Sequence, residues 1–243
     1  MSFSNRMSAA LYPPIGAVPT TVPDRAGGND GTNNGAKVAL VDGETGLDFD
    51  PSESSRVIFE DSPELNFDEN ESLLVEVDVV CRQSSGDGYI LDKYDRFGRN
   101  TGYLVSFRSD GWIVIRVGSF LDTGEWSQGI VVVQYTLNER YRISGLLYRP
   151  TNSLRVYLNG EYVNEINVSR QGSLVNPSPL RLGNDQNENN YTDGVLLQAR
   201  IWNVTGKSLN QIDKQIEDNA FKYLSGNEDG LVFYTPMQYG AHQ

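Results

Sequence analysis

Tyr103-Leu104-Val105-Ser106-Phe107-Arg108-Ser109-Asp110-Gly111-Trp112-Ile113-Val114-Ile115-Arg116-Val117 is the stretch that decides the architecture. Two runs rich in β-branched and aromatic residues flank Ser109-Asp110-Gly111. Asp-Gly between such runs predicts a hairpin, because both turn residues tolerate positive φ. Residues 154–158 and 162–168 repeat the arrangement about Asn159-Gly160. Val75, Val77 and Val79 alternate with Glu76, Asp78 and Val80, a period of two that predicts a strand with one apolar and one largely polar face. Further strand-like runs occupy 88–94, 130–135, 141–148, 180–183, 194–203 and 230–236. Short strands at this spacing predict an all-β protein, an antiparallel sandwich or jelly roll. One segment departs from the pattern. Ser208 and Gln211 form a capping box, and Leu209, Ile212 and Ile216 follow at helical spacing, which predicts a short helix over 208–219 with Gly226 as an outer stop.

The chain has 243 residues, room for one large β-domain with a core that needs no covalent staples. Cys81 is the single cysteine, which excludes an internal disulfide framework and any cysteine-based zinc site. His242 is the single histidine, which removes Ser-His-Asp triads, Cys-His dyads and multi-histidine metal sites. Asp and Glu total 32 against 20 Lys and Arg, a net charge of −12, so neither nucleic acid nor an anionic membrane is an expected partner. No apolar run approaches a membrane span, and residues 1–7 lack a secretory h-region, from which we expect that no signal segment existed. Residues 1–23 are Pro-rich and read as an extended N-terminal arm; 24–243 read as one sandwich domain.

Several segments in order resemble the laminin G-like branch of the concanavalin A-like lectin/glucanase superfamily. Asp24-Arg25-Ala26-Gly27-Gly28-Asn29-Asp30-Gly31 resembles its early Asp-x-Ser-Gly-x-x-Asn-x-Gly loop, with Ala26 in place of Ser. Leu154-Arg155-Val156-Tyr157-Leu158-Asn159-Gly160 resembles its Leu-x-Leu-Tyr-Val-Asn/Asp-Gly hairpin, and 194–203, ending Arg200-Ile201-Trp202-Asn203, its closing strand. Leu47-Asp48-Phe49-Asp50, Leu180-Arg181-Leu182-Gly183 and Gly230-Leu231-Val232-Phe233-Tyr234 also correspond. The resemblance covers roughly 24–236 and implies the fold, which hosts lectins, glycosidases, adhesion modules and virion proteins alike.

What the resemblance implies for chemistry divides three ways. Glycosidases of the superfamily carry a Glu-x-Asp-x-(x)-Glu strand; here Glu76 and Asp78 match the first two positions and the third is absent, so no enzyme is expected and both carboxylates are read as solvated on an outward face. Calcium is the second family feature. Asp24, Asp185 and Asp193 are the candidate ligands, although Leu197 stands where the family places a carboxylate. The plain alternative is a polar loop bonding its own backbone. Glycan binding is the third, with Trp126 and Tyr191 as candidate aromatics and Asn187 and Asp193 as candidate hydroxyl partners. Trp112, Trp202 and Cys81 read as core.

The lack of an export signal, the arm and the acidic β-domain together give the expectation of a non-catalytic virion surface protein, such as a phage capsid-decoration, head-fibre or tail-associated protein. Its expected partners are other virion subunits or its own copies in a homo-oligomer, with host-cell glycan as a further ligand. The alternative is an extracellular carbohydrate-binding adhesion module; a glycoside hydrolase ranks below both.

Overall fold

Alternation and turn chemistry produce sixteen strands and one helix in the computed structural model, which describes residues 18–239 apart from 97, 99, 122–124 and 169–170. The strands are β1 (Thr21–Val22), β2 (Gly31–Asn34), β3 (Lys37–Val41), β4 (Glu44–Phe49), β5 (Arg56–Phe59), β6 (Leu73–Cys81), β7 (Asp87–Asp95), β8 (Thr101–Arg108), β9 (Trp112–Phe120), β10 (Trp126–Gln134), β11 (Arg140–Tyr148), β12 (Ser153–Leu158), β13 (Glu161–Asn167), β14 (Leu180–Leu182), β15 (Gly194–Asn203) and β16 (Leu231–Pro236). The helix, α1, spans Leu209–Asn219. One sheet runs β1-β2-β5-β14-β7-β8-β9-β10; the other runs β13-β12-β11-β6-β15-β4-β3, with β16 also on β15. Every pairing is antiparallel; β4 takes the first half of one edge of β15 and β16 the second.

Both predicted hairpins form. Asn159 and Gly160 take positive φ (55° and 91°), as a two-residue turn needs. At the other, Arg108 pairs with Trp112, so three residues make the turn and Gly111 alone carries positive φ (87°). The inner faces of the sheets meet over Val57, Phe59, Val75, Val77, Val79, Tyr103, Val105, Phe107, Ile113, Ile115, Ile143 and Ile201. Val22 is buried with them, so the chain enters the sandwich at β1, ahead of the predicted boundary at 24. Just before β1, the carbonyls of Pro19 and Thr20 accept from Asn33 Nδ2 and Asn33 N; residues 1–17 of the proposed arm, and His242, lie outside the described residues.

The outer face of the β6–β15–β11 sheet is covered. Ile212 and Ile216 of α1 pack on Leu74, Leu146, Tyr157 and Trp202. Gln211 Oε1 accepts from Ser208 N at 2.8 Å, the reciprocal half of the predicted capping box. The helix ends at Asn219, seven residues before Gly226, because residues 220–224 turn back over the sheet. Phe221 takes a left-handed conformation (φ 58°) and its ring lies 5.2 Å from the Arg140 guanidinium. Arg200, rising from β15, donates to the carbonyls of Asn219 and Lys222, placing a cation at the helix C-terminus.

This return segment seals a layer of charge and corrects the reading of Glu76 and Asp78. They face outward from β6 but are 1% and 0% exposed. Glu76 accepts from Trp202 Nε1 at 2.7 Å and Ser144 Oγ at 3.1 Å, and ion-pairs with Arg142 at 3.1 Å and Arg200 at 3.6 Å. Asp78 accepts two bonds from Arg140, whose other face holds Glu44. Period-two alternation told which side of the strand these residues occupy; it could not tell that a helix 130 residues later would roof that side.

Burial alone would raise the Glu76 carboxyl, but Arg142, Arg200 and its hydrogen bonds outweigh that and hold it below the usual carboxylate range. A depressed folded value contributes stability above the unfolded pKa of about 4.3 and loses it as pH falls through the folded one. Glu76→Gln is therefore expected to cost about 3–5 kcal/mol at neutral pH, read by urea denaturation, because it leaves two guanidiniums facing no carboxylate. The penalty should shrink as the wild type is acidified; an equal penalty at all pH values would refute the ion-pair account.

Candidate functional site

The other sheet keeps its outer face open. Along β8 and β9 the side chains of Tyr103, Val105, Phe107, Ile113 and Ile115 point into the core, so Ser106, Arg108, Val114 and Arg116 point out. With Tyr89 and Asp87 of β7 and Ile130 and Val132 of β10 they line a groove of about 230 Å³. Its floor is aliphatic, one wall carries a half-buried tyrosine, and its polar groups are a hydroxyl, two guanidiniums and a carboxylate. At the rim, Asp87 also lines a second hollow of about 240 Å³ formed with Pro51, Gln83–Gly86, Asn190, Tyr191 and Asp193. The two hollows meet at their shared residue Asp87 and are together termed the trough.

A chain of contacts fixes the trough wall. Asp185 is buried and staples the 184–193 loop, accepting from the amides of Asn187 (3.0 Å) and Asn189 (2.9 Å) and from Asn190 Nδ2 (2.7 Å). It also faces Arg96 at 3.8 Å, and Arg96 bonds Asp92 at 3.2 Å. The Arg96 guanidinium in turn lies 4.6 Å from the Tyr89 ring centroid and 5.5 Å from that of Tyr94. Tyr94 lies across Gly118, where a Cβ would come within 2.5 Å of its hydroxyl oxygen. The 184–193 loop and β7 thus set the ring that forms the wall, and Asn190 O takes the Tyr89 amide at 3.0 Å.

The residues expected from sequence are dispersed. Tyr191 and Asp193 reach the trough, and Asn187 is exposed on the same loop. Asp193 is occupied as well, accepting from Arg82 Nε at 2.7 Å. Trp126 opens β10 opposite Phe120, whereas the trough end of that hairpin is Gln134 opposite Trp112. Eight residues of strand, roughly 26 Å, separate the two ends, so Trp126 does not join Tyr191; its side chain lies outside the described residues. The calcium set does not assemble either. The Asp24 carboxylate accepts from the amides of Ala26, Gly27, Asn29 and Tyr234, Asp185 is spent on its own loop, and Asp193 on Arg82. Among the described residues no group of three or more acidic, histidine or cysteine side chains is placed to hold a metal. Leu197 is buried with Ala39, Val41, Val80 and Val195. Trp202 is core and Trp112 half-buried; Cys81 is buried and its thiol pushed up to about 12 by desolvation.

A larger hollow of about 480 Å³ lies at the opposite end beside Asp61, Asn66, Asp95 and Asn176. Its polar groups are spent on one another. The buried Lys93 ammonium donates to Asn176 O at 2.7 Å and pairs with Asp61 at 3.0 Å, while the Asn176 amide spans the carbonyls of Lys93, Thr101 and Leu174. That arrangement ties loops together and leaves little for a ligand.

A family model for the concanavalin A-like lectin/glucanases superfamily, of the Laminin_G_3 type, matches residues 63–210. The chain belongs to this superfamily. Solved structures agree on the fold. The binding domain of Paraclostridial Mosquitocidal Protein 1 aligns with a TM-score of 0.56 and 16% identity, covering 79% of this chain and 47% of that one. The Botulinum neurotoxin serotype G binding domain gives 0.59 and 11%, covering 84% and 51%. A candidate carbohydrate-binding protein from Bacteroides ovatus gives 0.59 and 15%, covering 82% and 52%. This superfamily member spans about half the length of each of those chains, and at such identities the likeness is one of fold. No curated protein sequence matches it.

Tyr89, Arg96, Arg116 and Asp92 are the site residues that sequence reasoning missed. Tyr89 and Asp92 lie on β7, Arg96 just past it and Arg116 on β9, with no regular spacing along the chain to link them, so they become a site only when the strand order is known. Asp92 is fully buried, and desolvation pushes its carboxyl up to about 7 against the pull of Arg96 and the Gln186 amide. A raised folded value means the folded state holds the proton more tightly, so this group erodes stability as pH rises from about 4 to about 7. A carboxyl ¹³C titration with its midpoint near pH 7 is the expected observation, with Asp92→Asn removing that component of the pH slope; a midpoint near 4 would refute the assignment.

Proposed function

We propose that this chain is a non-catalytic glycan-binding sandwich and that saccharide lies in the trough between Tyr89 and Tyr191. The observation that carries the reading is the composition of the groove: an aliphatic floor and a tyrosine face beside a hydroxyl, guanidiniums and a carboxylate. A pyranose ring has the same division, with C–H faces and a hydroxyl rim, and ligand sites pair apolar walls with a few placed polar groups. The toxin neighbours are binding domains, and the Bacteroides neighbour is a candidate carbohydrate-binding protein, which supports the reading. Sealing of Glu76 and Asp78 in ion pairs beneath residues 219–224 argues against hydrolysis by the strand that serves glycosidases of the superfamily.

The proposed setting is the surface of a virion, with other virion subunits or copies of this chain as neighbours. The Pro-rich stretch 12–23 and the acidic composition support it. Localising the chain in purified particles tests it, and absence from particles returns the protein to the adhesion-module reading. For the trough, a glycan-array ligand should bind wild type and lose at least about fivefold in affinity on Tyr89→Ala, on the order of one aromatic contact. Trp126→Ala should leave that affinity unchanged. The reverse pattern would move the site to the other end of the sandwich.

A further inference from the structure

The guanidiniums on the open sheet face are almost all spoken for. Arg56 and Arg181 share Glu188 (3.9 and 3.3 Å), Arg96 lies on Asp92 and Asp185, and Arg108 pairs with Asp110 at 2.6 Å. Arg116, in the groove itself, has no carboxylate partner and no hydrogen bond among the described residues. Its Nε is sealed from solvent without an acceptor, and its charge rests against the Tyr94 ring at 6.0 Å. In a chain with 32 acidic against 20 basic residues an unpaired, half-buried arginine is not a consequence of scarce partners. Its neighbours across the sheet are aliphatic: Leu104 on β8 and Ile130 on β10. The acids nearest along the face are committed or remote, since Asp92 is bonded to Arg96 and the Gln186 amide, and Asp87 stands at the far rim beside Arg108 in the strand register.

Resting on the glycan reading of the trough, we infer that the ligand is an anionic saccharide whose carboxylate or sulfate sits on Arg116. The guanidinium presents a planar fork of donors with no acceptor of its own, suited to a two-oxygen anion. The aliphatic surround excludes water and strengthens that pairing. The sugar ring carrying the anion lies over Val114 and Ile130, and the chain continues past Tyr89 toward Asp87, where neutral hydroxyls meet a carboxylate they can donate to. The orientation is set by charge, because the reverse placement would bring anion against Asp87.

The test is an array on which each uronate or sialylated oligosaccharide is printed beside its methyl ester, and each sulfated one beside its desulfated form. The anionic member of the bound pair should exceed its neutral partner by about tenfold to a hundredfold, the range of a charge-assisted hydrogen-bonded pair. Arg116→Gln should bring the two to equal affinity, Arg116→Lys should keep part of the preference, and Tyr89→Ala should weaken both members together. The uronate and sulfate arms identify which anion is used. Equal binding of charged and neutral forms by wild type, or a preference that survives Arg116→Gln, overturns the inference and leaves the glycan reading standing. Failure of wild type to bind any saccharide, charged or neutral, removes both. A circular-dichroism spectrum and melting temperature matching wild type show that each variant is folded.

Discussion

The Glu76 carboxylate, buried against Arg142 and Arg200, is the interaction on which the covered half of the molecule depends. Its partners come from the two strands that flank β6, so all three must be in one register for the charges to meet. A one-residue slip of β6 would turn Glu76 into the apolar interior and Val77 out beneath the helix. The same arginine that completes the pair holds the carbonyls at the end of α1. Sheet register, helix length and the return of residues 220–224 are therefore consequences of one constraint: a charge taken out of water must be met by partners fixed around it.

That covering has a functional corollary. A two-sheet sandwich has two outer faces. Here one is roofed by α1, the return segment and an aliphatic cluster, while the face of β7–β10 stays open. The roofed face holds Glu76 and Asp78; the open face holds the trough. The open face is supported from behind by the 184–193 loop, through Asp185, Arg96 and Tyr89 in succession. An acid-rich loop that looked like a cation site in sequence acts instead as a brace, its carboxylates occupied by amides and by arginines.

Much of the fold was legible because its signals are local. The Asn159-Gly160 turn, the alternation of 75–79 and the Ser208–Gln211 box each lie within a few residues, and each formed. Tyr191 and Asp193 were legible as members of a polar loop at a sandwich end, and they line the trough. Trp126 lies at the other end of the β9–β10 hairpin from them, a separation that loop context alone does not reveal. Asp24, Asp185 and Asp193 looked alike as carboxylates near turns, but a carboxylate's role depends on which amides and cations have already claimed its oxygens.

By itself the sequence determined the all-β class, the hairpins, the single helix and the superfamily, since period-two patterning, turn residues and caps act over distances shorter than one element. Tertiary structure alone decided that Glu76 and Asp78 are sealed, that Arg116 is left without a carboxylate among the described residues, and that side chains from β7, β8, β9 and β10 converge on one groove. Those outcomes turn on what covers a face and on which charges meet across it. The groups that settle them lie far apart in sequence, Trp202 standing 126 residues from Glu76, and their encounter depends on strand order rather than on any pattern along the chain.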